Sequence, residues 1–172
     1  MDETWLALFL KKYLEQVGSI PGRKAYQKLL YFAQLLGWPS DYPFRLHFYG
    51  PYSEEADRAL EMLEEGGAVV IPANGEIKPS AYLNELAAHA PDPNAGAEAL
   101  AQTLAAFQAR GPKELELLAT IRLLWDTERR VLSTPTEHAV TTKLKRLKPG
   151  KFEDAEIVEA FVTLEQFHLL PT

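Results

Sequence analysis

Four histidines, 24 carboxylates and no cysteine are what this chain of 172 residues offers for chemistry. The histidines are His47, His89, His138 and His168. None stands three to five positions from another, the spacing that lets two imidazoles share a zinc ion. Without cysteine, disulfides, thiolate nucleophiles, Cys-ligated zinc and iron–sulfur clusters are excluded. The sequence has no HExxH, no G-x-S-x-G and no phosphate-binding P-loop. Glu54, Glu55 and Asp57 are closely spaced but do not follow the EF-hand pattern. Asp126 and Glu128 are an ordinary pair at this density of acid. Nothing nominates a nucleophile or a general base, so the expectation is a protein that is not an enzyme and needs neither cofactor nor metal.

Recognition chemistry is easier to find. Arg45, His47, Tyr49 and Tyr52 bracket the turn Gly50-Pro51, and Tyr and Arg are residues that protein interfaces favour. The same turn also reads as a plain strand-to-helix connection with Ser53 as a helix cap. From Ser53 to Glu65, six acidic residues against Arg58 alone leave a charge of −5. Such a surface opposes the counterion release that drives DNA binding. This helix is therefore expected to face solvent or a basic protein partner, with Glu54, Glu55 and Asp57 beside the aromatic face. Cations gather at Lys143, Lys145, Arg146, Lys148 and Lys151. They suit a helix C-terminus, and they are also a candidate nucleic-acid patch in a helix-turn-helix of residues 136–147 and 153–167. Against that use, the second of these helices opens on the acids Glu153, Asp154 and Glu156. Arg23, Lys24 and Lys28 make a second, smaller basic group.

The elements that must position these residues follow from periodicity. Leu6, Phe9, Leu10, Tyr13, Leu14 and Val17 recur with helical spacing and predict an amphipathic helix over 3–17. A second helix is predicted from Arg23 to Leu36. Tyr26, Leu29, Leu30, Ala33 and Leu36 stripe one side of it, and Tyr31, Phe32 and Leu35 widen the stripe nearly all round. A helix apolar on most faces is buried and central. Phe44, Leu46 and Phe48 alternate with Arg45, His47 and Tyr49, the period-2 signature of a half-buried strand. Gly50-Pro51 then turns the chain into the acidic helix. Asn74-Gly75 between residues 68–71 and 76–78 predicts a β-hairpin. The order helix, helix, strand, helix, hairpin resembles a winged-helix module with an added strand before its third helix.

The stretch 84–96, rich in Pro, Asn and Gly, reads as a linker. Beyond it four helices are expected: around Leu100–Phe107, from Pro112 through Trp125, from Thr136 to Leu147, and from Glu153 to Phe167. The fold class is thus mainly α with a small β-sheet or hairpin. It comprises a module of residues 1–83, the linker, and a helical half of residues 97–172 packed on the module around the second helix. Apolar residues make up 47% of the chain and charged ones 24%, which marks a folded globular protein. A net charge of −6 argues against nonspecific coating of nucleic acid. The acids Asp2 and Glu3 stand where a signal peptide needs positive charge, and no window approaches 18 apolar residues. A cytoplasmic protein without a membrane span is expected.

The block GRKAYQKLLYFAQLLG, the FYGPYSEE turn, and the closing LELLATIRLLW and KPGKFEDAEIVEAFVTLEQFHLL together resemble the bacterial YwgA-type family of uncharacterised proteins. The Lys-Leu-Leu-Tyr-Phe-Ala helix followed by Tyr-Gly-Pro is similar, more distantly, to the Panacea (SocA-like) antitoxin domain over residues 20–80. The YwgA-type likeness implies no established activity. The Panacea likeness implies binding of another protein, such as a toxin to be neutralised or a protease to be served. This chain has Tyr52-Ser53 after the Gly-Pro, where Panacea-like members tend to have Val. The reading that follows is a noncatalytic protein-binding module of antitoxin, adaptor or regulator type, acting through Arg45, His47, Tyr49, Tyr52, Glu54, Glu55 and Asp57, with self-association compatible with it. The second reading is a DNA-binding transcriptional regulator using Lys143, Lys145, Arg146 and Lys148.

Overall fold

The second helix is buried along nine consecutive residues, Ala25 through Ala33. The computed structural model describes residues 3–172, and Met1 and Asp2 lie outside them. The elements are α1 (Glu3–Val17), α2 (Arg23–Leu35), β1 (Arg45–His47), β2 (Gly50–Tyr52), α3 (Glu54–Glu65), β3 (Val69–Val70), β4 (Lys78–Pro79), α4 (Ala81–Ala87), α5 (Ala97–Phe107), α6 (Pro112–Leu132), α7 (Glu137–Leu147) and α8 (Asp154–Gln166). The fold is mainly α with a small β component, as the periodicities predict, and that component is two small antiparallel hairpins. Helix α2 packs on α3, α5, α6 and β2, so it touches elements of both halves of the chain. Phe32 of α2 and Phe107 of α5 stack with ring centroids 4.1 Å apart. Helix α1 lies on α3, α4, α5 and β4, while α7 and α8 cover α6. One continuous core results, running from Leu6 to Leu169. Among the described residues, no helix is long and apolar enough to cross a membrane.

Helix α2 ends as its sequence dictates. The Trp38 amide bonds back to the Ala33 carbonyl and the Gly37 amide to Gln34. That pairing satisfies the last free carbonyls of the helix and folds the following apolar residue inward. Trp38 is accordingly buried, with Phe9 and Trp5 edge-on at 5.4 and 6.5 Å.

Two expectations need correction. The run Phe44 to Tyr49 is not a half-buried strand that turns at Gly50-Pro51. The chain turns at Phe48-Tyr49, and Gly50–Tyr52 returns as β2, with Arg45 opposite Tyr52 and His47 opposite Gly50. Every residue of β1 is exposed, and Phe48 is 83% exposed. The alternation failed because β1 has no sheet behind it; the buried strand is β2, whose Gly50 and Pro51 lie against α6. Gly50 has a φ of 87°, and a Cβ there would stand 2.6 Å from Thr120 Oγ1. Both the backbone angle and the space admit only glycine. The third helix is thus preceded by a hairpin rather than a single strand. The second correction concerns residues 84–96. Asn84–Ala87 belong to α4, with Leu83 and Ala87 buried, and the irregular stretch begins after it. It is seated on the core, since a Cβ at Gly96 would meet the Trp38 ring at 2.5 Å.

The Asn74-Gly75 hairpin forms as predicted, with Val69 opposite Pro79. Ile20 adds one antiparallel bridge to Ile77. Helices α5 to α8 supply the four expected in the second half.

Candidate functional site

Three polar side chains of α2, Gln27 and Lys28 buried and Gln34 half-buried, hold the segment that carries the candidate face. Gln27 donates to the Ser53 carbonyl at 3.0 Å and accepts from the Ser53 amide at 2.9 Å. Gln34, two helical turns later, does the same at Tyr42, at 3.0 and 2.9 Å. Between them the Lys28 ammonium donates to the Pro51 carbonyl at 2.7 Å. A backbone segment that leaves one element without pairing in another must find partners elsewhere, and here a helix provides them. Ser53 caps α3, accepting from the Ala56 amide, and the Tyr26 hydroxyl donates to the Ala56 carbonyl at 2.7 Å.

The tip of the β1–β2 hairpin is pinned from the opposite side. Lys148, the residue that ends α7, donates to the Phe48 carbonyl and, at 2.6 Å, to Glu116 of α6. Lys151 donates to both Glu116 oxygens, at 2.7 and 2.9 Å. The side chains of Glu116 and Lys148 are each 6% exposed. Burial pushes the Glu116 carboxyl up, but the hydrogen bonds and charges of Lys148 and Lys151 outweigh it and leave the carboxyl below its ordinary range. The Lys28 ammonium moves the other way, from 10.5 to about 8. Burial is the main cause; Glu116 opposes the fall, while Lys148, Lys24 and Lys151 deepen it.

The seven residues expected to form one face divide between two clefts. Arg45, His47, Tyr52, Glu54 and Glu55 border an open cleft of about 400 Å³. Tyr49 and Asp57 border a smaller one of about 250 Å³ facing α2, which His47 and Tyr52 also line. The His47 and Tyr52 rings stand 5.1 Å apart between the two. The Tyr52 hydroxyl donates to Asp57 at 3.2 Å, and burial first, then Asp57 with Glu54 and Glu61, pushes that hydroxyl's titration up. Helix α3 is less acidic in effect than its sequence. Arg23 reaches across from α2 to Asp57 at 3.2 Å, Glu64 at 3.0 Å and Glu61 at 3.8 Å.

One relative is similar over part of the chain. It is the uncharacterised protein YwgA of Bacillus subtilis (strain 168), 43% identical over 54 residues. The match covers 31% of this chain and 32% of the relative. No family model matches. The relative's name carries no activity, so the residues themselves carry the functional argument.

The cations of the second reading are largely engaged within the chain. Lys143 pairs with Glu128 at 2.7 Å, Lys145 with Asp154 at 2.5 Å, and Lys148 with Glu116. Arg146 is exposed. Among the described residues, no group of three or more His, Asp or Glu is placed to hold a metal ion. Gln27, Gln34 and Glu116 were not singled out from sequence, and Lys28 only as a member of the smaller basic group. The available signal was a polar residue at a position where the apolar pattern demands burial, as at Glu116 between Leu115 and Leu117.

Proposed function

We propose that this chain is a cytoplasmic bacterial protein of YwgA type, and that its winged-helix-like N-terminal module binds another protein without catalysis, as an antitoxin, adaptor or regulator does. The observation that carries this reading is Phe48. The Phe48 ring at the hairpin tip is 83% exposed and meets only the edge-on His47 ring, 5.5 Å away, among the ring contacts of the described residues, and large apolar side chains held in water mark interaction surfaces. Leu46 and Tyr49 beside it are 42% and 45% exposed. The backbone beneath is fixed by Lys28, Gln27 and Lys148, so the face is preorganised and little entropy is lost on docking. Arg45 and the acids Glu54 and Glu55 supply a polar rim. The DNA-binding reading has less to work with, because three of its four cations already have carboxylate partners.

The test is a pull-down of tagged protein from host lysate with nuclease treatment, run beside Phe48→Ala and the Tyr49→Ala, Tyr52→Ala pair. A nuclease-resistant protein partner retained by wild type and lost by folded variants supports the reading. Recovery of DNA, lost on replacing Lys143, Lys145, Arg146 and Lys148 by Ala, refutes it in favour of the regulator.

A further inference from the structure

The cleft of about 250 Å³ between α2 and the hairpin is lined by polar residues, yet the wall it presents is almost wholly apolar. The polar ends of its residues are turned into the chain. Gln27 gives its amide to both main-chain groups of Ser53. Lys28, 2% exposed, gives its ammonium to the Pro51 carbonyl. The Tyr52 hydroxyl bonds to Asp57, and the Arg23 guanidinium holds Asp57 and Glu64. The rings of His47, Tyr49 and Tyr52 and the methylene stems of α2 are left to face the cleft. Lys24 is the exception. It is exposed, and its ammonium stands 3.4 Å from the centre of the Tyr49 ring. No carboxylate among the described residues lies within ion-pair distance of it. A contact with a ring face still leaves an ammonium N–H donors for a carboxylate.

Resting on the protein-binding reading, we propose that this cleft takes an apolar side chain of the partner, of leucine or phenylalanine size, while an aspartate or glutamate beside that side chain meets Lys24. The strongest contacts of interfaces are apolar or aromatic anchors seated in pockets. The volume lies below the roughly 300–1,000 Å³ of small-molecule sites and suits one side chain. Charge complementarity sets the rest of the partner's chemistry. The chain supplies Lys24 with no carboxylate, so the partner does. The apolar wall keeps that carboxylate at the rim, because a charge moved inside would lose its water without gaining a partner. Phe48 lines neither cleft and offers the partner a separate contact.

The experiment is an NMR titration of the isotope-labelled chain with two blocked tetrapeptides, Asp-Leu-Phe-Asp and Lys-Leu-Phe-Lys, and with 3-phenylpropionate. Wild type should bind the acidic peptide saturably, with shifts centred on His47, Tyr49 and Tyr52. It should bind the basic peptide at least about tenfold more weakly, the size of one charged hydrogen bond. Lys24→Glu places an acid in the first turn of α2, which has none and where a helix favours one. This variant should fold and should reverse the order of the two peptides. Arg130→Glu, the same change of charge at the end of α6 away from Glu116, should keep the wild-type order. No saturable binding of the acidic peptide by wild type, an unchanged order in folded Lys24→Glu, or a reversed order in Arg130→Glu would each overturn the assignment. So would 3-phenylpropionate binding as tightly as the acidic peptide, which would make the cleft a site for a small carboxylic acid. The two proposals fail separately. A pull-down partner lost by Phe48→Ala and kept by Lys24→Glu refutes the cleft alone, whereas recovery of DNA refutes the reading beneath it.

Discussion

Replacing Lys28 by Met should change how stability depends on pH, in a direction set by the burial of its ammonium. In the folded protein this group releases its proton near pH 8, against an ordinary value of 10.5. A separation of that size corresponds to about 3 kcal/mol. Between pH 8 and 10.5 the unfolded chain holds a proton at Lys28 that the folded chain has released. Unfolding then takes up a proton, and wild-type stability gains with rising pH from this group. The Lys28→Met variant lacks the group and lacks the gain. Urea unfolding of both proteins from pH 7 to 10.5 at constant ionic strength isolates the effect, because tyrosine and other lysine ionisations are common to both. The stability of wild type minus that of the variant should rise by about 3 kcal/mol across the series. Its value at pH 7 also contains the lost bond to Pro51, so the slope is the quantity to read. A flat or falling difference would show that Lys28 is solvated or ion-paired and would refute the account of its surroundings.

Glu116→Gln should cost about 3–5 kcal/mol, because it strips the buried Lys148 of its carboxylate. The Glu116 carboxyl lies below its ordinary range, so its contribution is complete above the usual carboxylate pKa and is lost as pH falls through the folded value. The wild-type and variant stabilities, followed by urea unfolding, should therefore converge in acid. Gly50→Ala should cost about 2–4 kcal/mol, combining a left-handed backbone angle with overpacking against Thr120. Adding Thr120→Ala should recover the packing share and leave the backbone share, which a double-mutant cycle in the same assay separates.

Much of the architecture is legible in the sequence because helical periodicity is a local property. The all-round apolar pattern of Leu29 to Ala33 announces a central helix, and α2 is central. The Asn-Gly hairpin is equally local. The misread strand shows where that logic ends. Alternation in Phe44–Tyr49 predicts a buried face only if a partner layer exists, and whether one exists is settled by residues far away. The clamps are invisible for the same reason. Gln27 and Ser53 are 26 positions apart, and Lys148 and Glu116 are 32 apart. Read linearly, Lys148 and Lys151 are the tail of a basic run; folded, they converge with Lys24 and Lys28, from the other end of the chain, on Tyr49 and Glu116. The candidate face is proposed from residue type alone, and the placing of its residues along two clefts depends on the hairpin turning at Phe48-Tyr49.

The grip of Gln27, Lys28 and Lys148 falls on main-chain groups of residues 48–53. Main-chain carbonyls and amides are the same whatever side chain follows. The shape of the hairpin is therefore specified by its neighbours and is largely independent of what it displays at positions 46, 48 and 49. Such a mount permits the displayed residues to be exchanged while the loop geometry is retained. A lineage could retarget this surface by altering a few codons at the tip, and a protein engineer could graft a foreign tripeptide there without redesigning the scaffold beneath.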